Sequence, residues 1–163
     1  SNYIVLMEGL HCLNDDLTPY INNDIKFKIY LSPFMPLNLD SNNYISTTDL
    51  RLIRRMIRDN RTRGNDVSKT ICSWQDVRSG EEKYIFPYIN TSDVIINTSL
   101  VYELGVLKVF AEPLLYSVGT DSVYYEEARR LINFLKNYYP ISSEYIADDC
   151  VLREFIGGSC FES

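Results

Sequence analysis

Ser46-Thr47-Thr48-Asp49-Leu50-Arg51-Leu52-Ile53-Arg54-Arg55-Met56-Ile57-Arg58-Asp59-Asn60-Arg61-Thr62-Arg63-Gly64 is the stretch from which the rest of the chain can be read outward. Hydroxyl side chains at its start suit a helix N-cap, and Gly64 suits a helix C-terminus. Leu50, Ile53 and Ile57 recur at i, i+3 and i+7, so one face can pack on a core. Arg51, Arg54, Arg55, Arg58, Arg61 and Arg63 fill most of the remainder: six of the 16 basic residues, in a chain of net charge −6. Like charges at these helical spacings repel, and only Asp49 and Asp59 lie within the stretch to offset them. An external anion is the simplest partner for such a row, because the guanidinium fork matches phosphate oxygens. A solvated basic face with surface salt bridges has the same sequence and stays open as the alternative. The acidic balance and the thin scatter of basic residues elsewhere argue against a surface that tracks nucleic acid. A small polyphosphate fits better.

Upstream, Tyr3-Ile4-Val5-Leu6-Met7 is a continuous apolar run closed by Glu8-Gly9. It reads as a strand buried on both faces, as in a parallel sheet covered by helices. Glu8 then stands at the carboxyl end of a strand, where α/β folds place their ligands. His11 follows closely and is either a site residue or a structural one. Leu10 to Ile21 reads as a loop and a short helix, with Thr18-Pro19 as cap and first-turn pair. Ile25 to Leu31 alternates and gives a second strand. Phe34 to Ile45, with Pro36, Asp40 and several asparagines, is an irregular connection into the arginine helix.

Downstream, Val67, Ile71, Trp74 and Val77 continue a helical spacing, and Ser79-Gly80-Glu81-Glu82-Lys83 reads as a polar turn. Tyr84 to Ile89 is aromatic and interrupted by Pro87, suited to covering a core or lining a pocket. Val94 to Asn97 is a third short buried strand. Leu100 to Val118 leads into a helix that Pro113 ends or kinks. Asp121 to Tyr139 is an amphipathic helix stopped by Pro140, and a short helix is expected around Val151, Leu152 and Phe155.

The 163 residues fit one domain with a real core, and 45% hydrophobic residues exclude general disorder. No run is long and apolar enough to span a bilayer, and no signal-peptide pattern opens the chain. The four cysteines, Cys12, Cys72, Cys150 and Cys160, form no CxxC pair, and one histidine completes no zinc set with them. They read as reduced thiols of a cytoplasmic protein.

Several of these segments together resemble a known family. Glu8-Gly9-Leu10-His11, Leu37-Asn38-Leu39-Asp40, Ser46-Thr47-Thr48-Asp49 and Arg54-Arg55-Met56-Ile57-Arg58-Asp59 with Arg63-Gly64 resemble the uridine kinase branch of P-loop kinases. Arg78 to Pro87 and Leu152 to Ser159 are similar to the longer bacterial uridine kinase-like proteins, in which the kinase follows domains similar to parts of threonyl-tRNA synthetase. The resemblance implies a P-loop kinase-like parallel sheet flanked by helices, with residues about 47–64 as a mobile lid. It implies transfer of the ATP γ-phosphoryl group to the 5′-hydroxyl of uridine or cytidine, with Mg2+. Arg58 and Arg63 would close on the ATP phosphates, and Arg55 would face the phosphates or the nucleoside. Arg54 would contact the nucleotide, His11 would lie at the pocket rim, and Glu8 would hold magnesium through water.

One departure from the family is large: no GxxxxGK[ST] occurs among the 163 residues, nor the aspartate base that precedes the first strand. The chain is therefore expected to be the carboxyl-terminal part of a kinase, inactive alone. In the family a P-loop strand lies between the equivalents of Tyr3–Met7 and Ile25–Leu31, so sheet edges left open here would invite dimerisation. A non-catalytic nucleotide- or phosphate-binding module, or a dimerisation module, is the competing expectation.

Overall fold

The arginine-rich stretch folds as a single helix, and its ends follow from local chemistry. In the computed structural model, which describes residues 3–35 and 46–161, it runs Thr47–Arg63 (α1). The Ser46 hydroxyl accepts the Asp49 N–H at 3.3 Å, as in one half of a capping box. Gly64 ends it in the left-handed conformation (φ 64°), its N–H reaching the carbonyls of Asn60 and Asp59. That conformation costs a side-chain-bearing residue and not glycine. The Leu37–Asp40 motif lies outside the described residues.

The described chain divides into two compact units. The helical unit, residues 33–75 and 98–163, contains α1, the start of α2 (Val67–Tyr84), α4 (Glu103–Tyr116), α5 (Tyr125–Leu135) and α6 (Arg153–Ile156). α1 packs on α4 and α6, and α4 packs on α5. Leu50, Ile53, Met56 and Ile57 from α1 meet Leu104, Leu107, Leu131, Leu135 and Leu152 in one buried cluster. The apolar spacing within α1 is thus used as expected. α4 continues three residues beyond Pro113 to Tyr116 instead of ending there. α5 is shorter than the Asp121–Tyr139 expectation, and Val123 stays exposed ahead of it.

The strand unit, residues 1–32 and 76–97, contains β1 (Ile29–Ser32) and β2 (Val94–Asn97), paired in parallel with Ile29 opposite Val94 and Ser32 opposite Asn97. Asp93 accepts the Lys28 N–H at 2.7 Å and tightens the entry to both strands. The remainder departs from expectation. Tyr3–Met7 belongs to no strand and is exposed, with Ile4 at 99%. A strand buried on both faces needs hydrogen-bonded neighbours and covering helices, and the sheet described here has only two strands. Val94, Ile95 and Ile96 form the expected strand without the expected burial.

Local hydrogen bonding explains two further differences. The Asn14 and Asn22 side chains accept the N–H groups of Asp16 and Asp24, drawing Asp15–Leu17 and Asn23–Ile25 into 3-10 turns. Neither a helix at Thr18-Pro19 nor a strand from Ile25 therefore forms. Lys28 and Lys26 bond the Asp15 carboxylate at 2.7 and 3.0 Å, in that order lowering its pKa. The polar stretch Ser79–Lys83 lies inside α2, because a lone glycine among good helix formers costs only about 1 kcal/mol. Arg78 and Glu82 face each other there at i, i+4. The aromatic segment after it forms the one-turn α3 (Phe86–Ile89), which leaves Tyr84 and Phe86 exposed.

Candidate functional site: the arginine helix

Each face of α1 meets a different partner, and the arginines sort accordingly. Arg54 points into the interior. Its Nε and Nη2 donate to Oε1 and Oε2 of Glu103 at 3.2 and 2.6 Å, and Nη2 also donates to the Thr98 carbonyl at 3.0 Å. Glu103 accepts the Leu100 N–H as well, at 2.8 Å, and its side chain is 0% exposed. The guanidinium carbon lies 4.9 Å from the Phe155 ring centroid. Both members of this buried pair are hydrogen-bonded, which is the condition under which a buried pair is tolerated.

Arg55 and Arg63 share Asp59, whose side chain is buried. Arg55 Nε stands 3.2 Å from Oδ2, and Arg63 Nη1 donates to Oδ1 at 2.9 Å. The Arg55 contact is an ion pair without hydrogen-bond geometry, so that buried Nε has no hydrogen-bond acceptor. Arg63 is 61% exposed. Two guanidiniums on one carboxylate leave this face with an excess of positive charge.

Arg58 and Arg61 face α6. Arg58 Nη1 donates to Glu154 Oε1 at 2.8 Å. Arg61 donates from Nε to the Phe155 carbonyl at 3.0 Å and from Nη2 to the Glu154 carbonyl at 2.7 Å. At the N-terminal end, Asp49 takes a two-pronged contact from Arg130 at 2.8 and 2.7 Å. Glu127 and then Asp49 hold the Arg130 guanidinium above its ordinary pKa.

Counter-charges for the α1 arginines therefore arrive from Glu103 on α4 and Glu154 on α6 as well as from Asp59, while α5 brings Arg130 onto Asp49. This corrects the expectation that too few were available. Repulsion along α1 is offset within the molecule, and an external anion is not required to explain the helix.

Glu8 and His11 belong to the strand unit. Both are exposed; Glu8 precedes, and His11 lies within, a turn in which the Gly9 carbonyl accepts the Cys12 N–H at 3.2 Å. The His11 ring meets the Tyr84 ring edge-on at 6.3 Å. Among the described residues no group of three or more potential ligands forms a metal site, so Glu8 offers one carboxylate. A single carboxylate completed by water and phosphate oxygens is compatible with Mg2+. The cysteines are free thiols, three exposed and Cys150 half-buried. Among the described residues no helix is long and apolar enough to cross a membrane.

The residues that sequence reasoning missed are Glu103, Glu154 and Arg130. Glu103 carried a usable signal: a carboxylate opening the apolar helix Glu103-Leu104-Gly105-Val106-Leu107 must be paired if it is buried. Nothing local marks Glu154 or Arg130 as partners of α1, since each lies more than 80 positions away in sequence.

A family model described as "Phosphoribulokinase / Uridine kinase family" matches residues 1–103, well over half the chain. The chain belongs to this family. No curated protein and no solved structure matches it. The matched residues hold Glu8, His11, both strands and all of α1; α5, α6 and nearly all of α4 follow them. The family is one of kinases, whose chemistry is phosphoryl transfer, and the parallel strand pair with its helices fits an α/β fold of that kind.

Proposed function

We propose that this chain forms part of a nucleoside kinase, in which the arginine helix neutralises the transferred phosphates and uridine or cytidine accepts at its 5′-hydroxyl. The observation that carries the reading is the Arg55–Asp59–Arg63 cluster: two guanidiniums on one buried carboxylate, with Arg63 exposed. Phosphoryl transfer asks a protein mainly for positioned positive charge, and this face supplies it. Arg58 adds a third fork at the same end of α1 once it leaves Glu154. Arg54 serves as the post that holds α1 in place, because drawing it toward a ligand would strand Glu103 in the interior.

ATP and Mg2+ are the cofactors this reading requires. The arginines fit the phosphates by charge and geometry, and Glu8 fits the metal as one oxygen ligand among waters. When bound, the metal would screen the charge between the phosphates. His11, exposed beside Tyr84, would border the nucleoside.

The lysine and hydroxyl of a P-loop are not among these 163 residues, so we place them in a preceding part of a longer kinase, of the bacterial type with synthetase-like domains. The exposed apolar side chains of β1 (Ile29 and Leu31) and β2 (Val94, Ile95 and Ile96) would then be covered by the rest of that longer protein. Free thiols and an acidic, water-compatible surface suit the cytoplasm.

The test is transfer from ATP to uridine, with magnesium, by this chain and by the longer protein. Activity is expected in the longer protein alone, and Arg63→Ala there should lower kcat roughly 100-fold, as removal of one transition-state donor does. A well-folded longer protein without nucleoside kinase activity would overturn the reading and leave a phosphate-binding or dimerising module.

A further inference from the structure

The arginines of α1 that face α6 are held by groups chemically similar to the ligand they would bind. Arg58 sits on the Glu154 carboxylate, and Arg61 forks onto the main-chain carbonyls of Glu154 and Phe155. A carboxylate and two converging carbonyl oxygens present to a guanidinium what a phosphate presents: a short row of acceptors. The two sides of this contact differ in firmness. Phe155 is buried in the core and lies beneath both Arg54 and Arg58, so α6 itself is anchored. The Glu154 side chain is 55% exposed and the Arg58 side chain 37%, so their bond can open into water without unfolding anything.

Backbone shape serves the same contact. Gly157 has φ 87°, and a Cβ there would sit 3.4 Å from Arg61 Cδ. The chain thus turns directly against the Arg61 side chain as it leaves α6, and a side-chain-bearing residue would be strained there. Moreover, α1 lies within the family-matched residues 1–103, whereas α6 lies beyond them.

We propose that the α6 segment is an autoinhibitory contact, in which Glu154 and the carbonyls beside it occupy the anion-binding forks of Arg58 and Arg61. This inference rests on the phosphate-binding reading of α1. An incoming polyphosphate competes with Glu154 for Arg58, and its apparent affinity is lowered by the fraction of molecules in which the contact is closed.

Calorimetric titration with inorganic tripolyphosphate tests it on the full chain. Glu154→Gln keeps the shape and removes the competing charge; binding is expected to tighten about three- to fivefold, the range of an exposed pair. Glu144→Gln, a change of equal charge in the exposed 3-10 turn Ser143–Tyr145, should stay within about twofold of the parent chain, the limit expected for a distant, screened surface charge. Arg58→Ala should weaken binding, and adding Glu154→Gln to it should restore nothing. Equal tightening by Glu144→Gln would reduce the effect to net charge and overturn the contact. If Glu154→Gln binds like the parent while Arg58→Ala still weakens binding, the contact falls and the phosphate reading stands. No effect of Arg58→Ala would overturn the contact alone, and no saturable binding by any variant would overturn both.

Discussion

In the helical unit, the charged side chains with most to lose from burial are the best partnered: Arg54 and Glu103 share two hydrogen bonds inside the core. In the strand unit the apolar side chains with most to gain from burial face water: Ile4, Leu6, Leu31, Ile95 and Ile96. The first unit has a continuous core, and its most deeply buried ion pair is hydrogen-bonded at both ends. The second has the composition of an interior and the environment of a surface. The contrast shows that pattern-matching on hydrophobicity is dependable where the partners of a segment are supplied by the same unit. Where the partners are not among the described residues, an apolar strand remains an exposed one.

Three substitutions can break or sharpen this contrast. Arg54→Ala should have the largest effect, about 3–5 kcal/mol, because it leaves Glu103 charged and buried alone. The single tryptophan, Trp74, packs against the helical core and reports the urea midpoint by fluorescence. An R54M/E103L double variant should regain much of that loss; if Arg54→Ala costs under about 1 kcal/mol, the pair is not shut off from water as described.

Ser46→Ala comes next, at about 1 kcal/mol, since it removes the hydroxyl that accepts the Asp49 N–H. Hydrogen exchange in the first turn of α1 should accelerate while the Gly64 end is unchanged. Equal acceleration at both ends would mean that the helix opens as one piece and that its cap is not a local device.

Ile95→Thr should have the smallest effect, within about 0.5 kcal/mol, because its side chain is already half in water at 53% exposure. A loss above about 2 kcal/mol would show this strand to be covered in solution, as core truncations are, and would remove the contrast between the units. Sedimentation of the parent chain would then tell whether a second copy provides the cover.

The residues of α1 illustrate how far sequence reaches. Its start at Ser46, its end at Gly64 and its buried face of Leu50, Ile53 and Ile57 were legible, because capping, left-handed glycine and helical period act over a few residues. The family was legible from the same stretch with Glu8-Gly9-Leu10-His11, since those residues lie in the part that matches. The 3-10 turns before β1 were hidden by an equally local effect, two asparagine side chains that outcompeted helix and strand.

By itself, then, the sequence determined the helix, its apolar face, the strand at Val94–Asn97 and the kinase family, all carried by near neighbours or by an unbroken motif. Only the tertiary structure decided where Arg54, Arg58 and Arg61 spend their charge. Glu103 and Glu154 lie 49 and 96 positions from the arginines they bind. An electrostatic partner at that separation is chosen by packing, which places charges together without regard to their order along the chain.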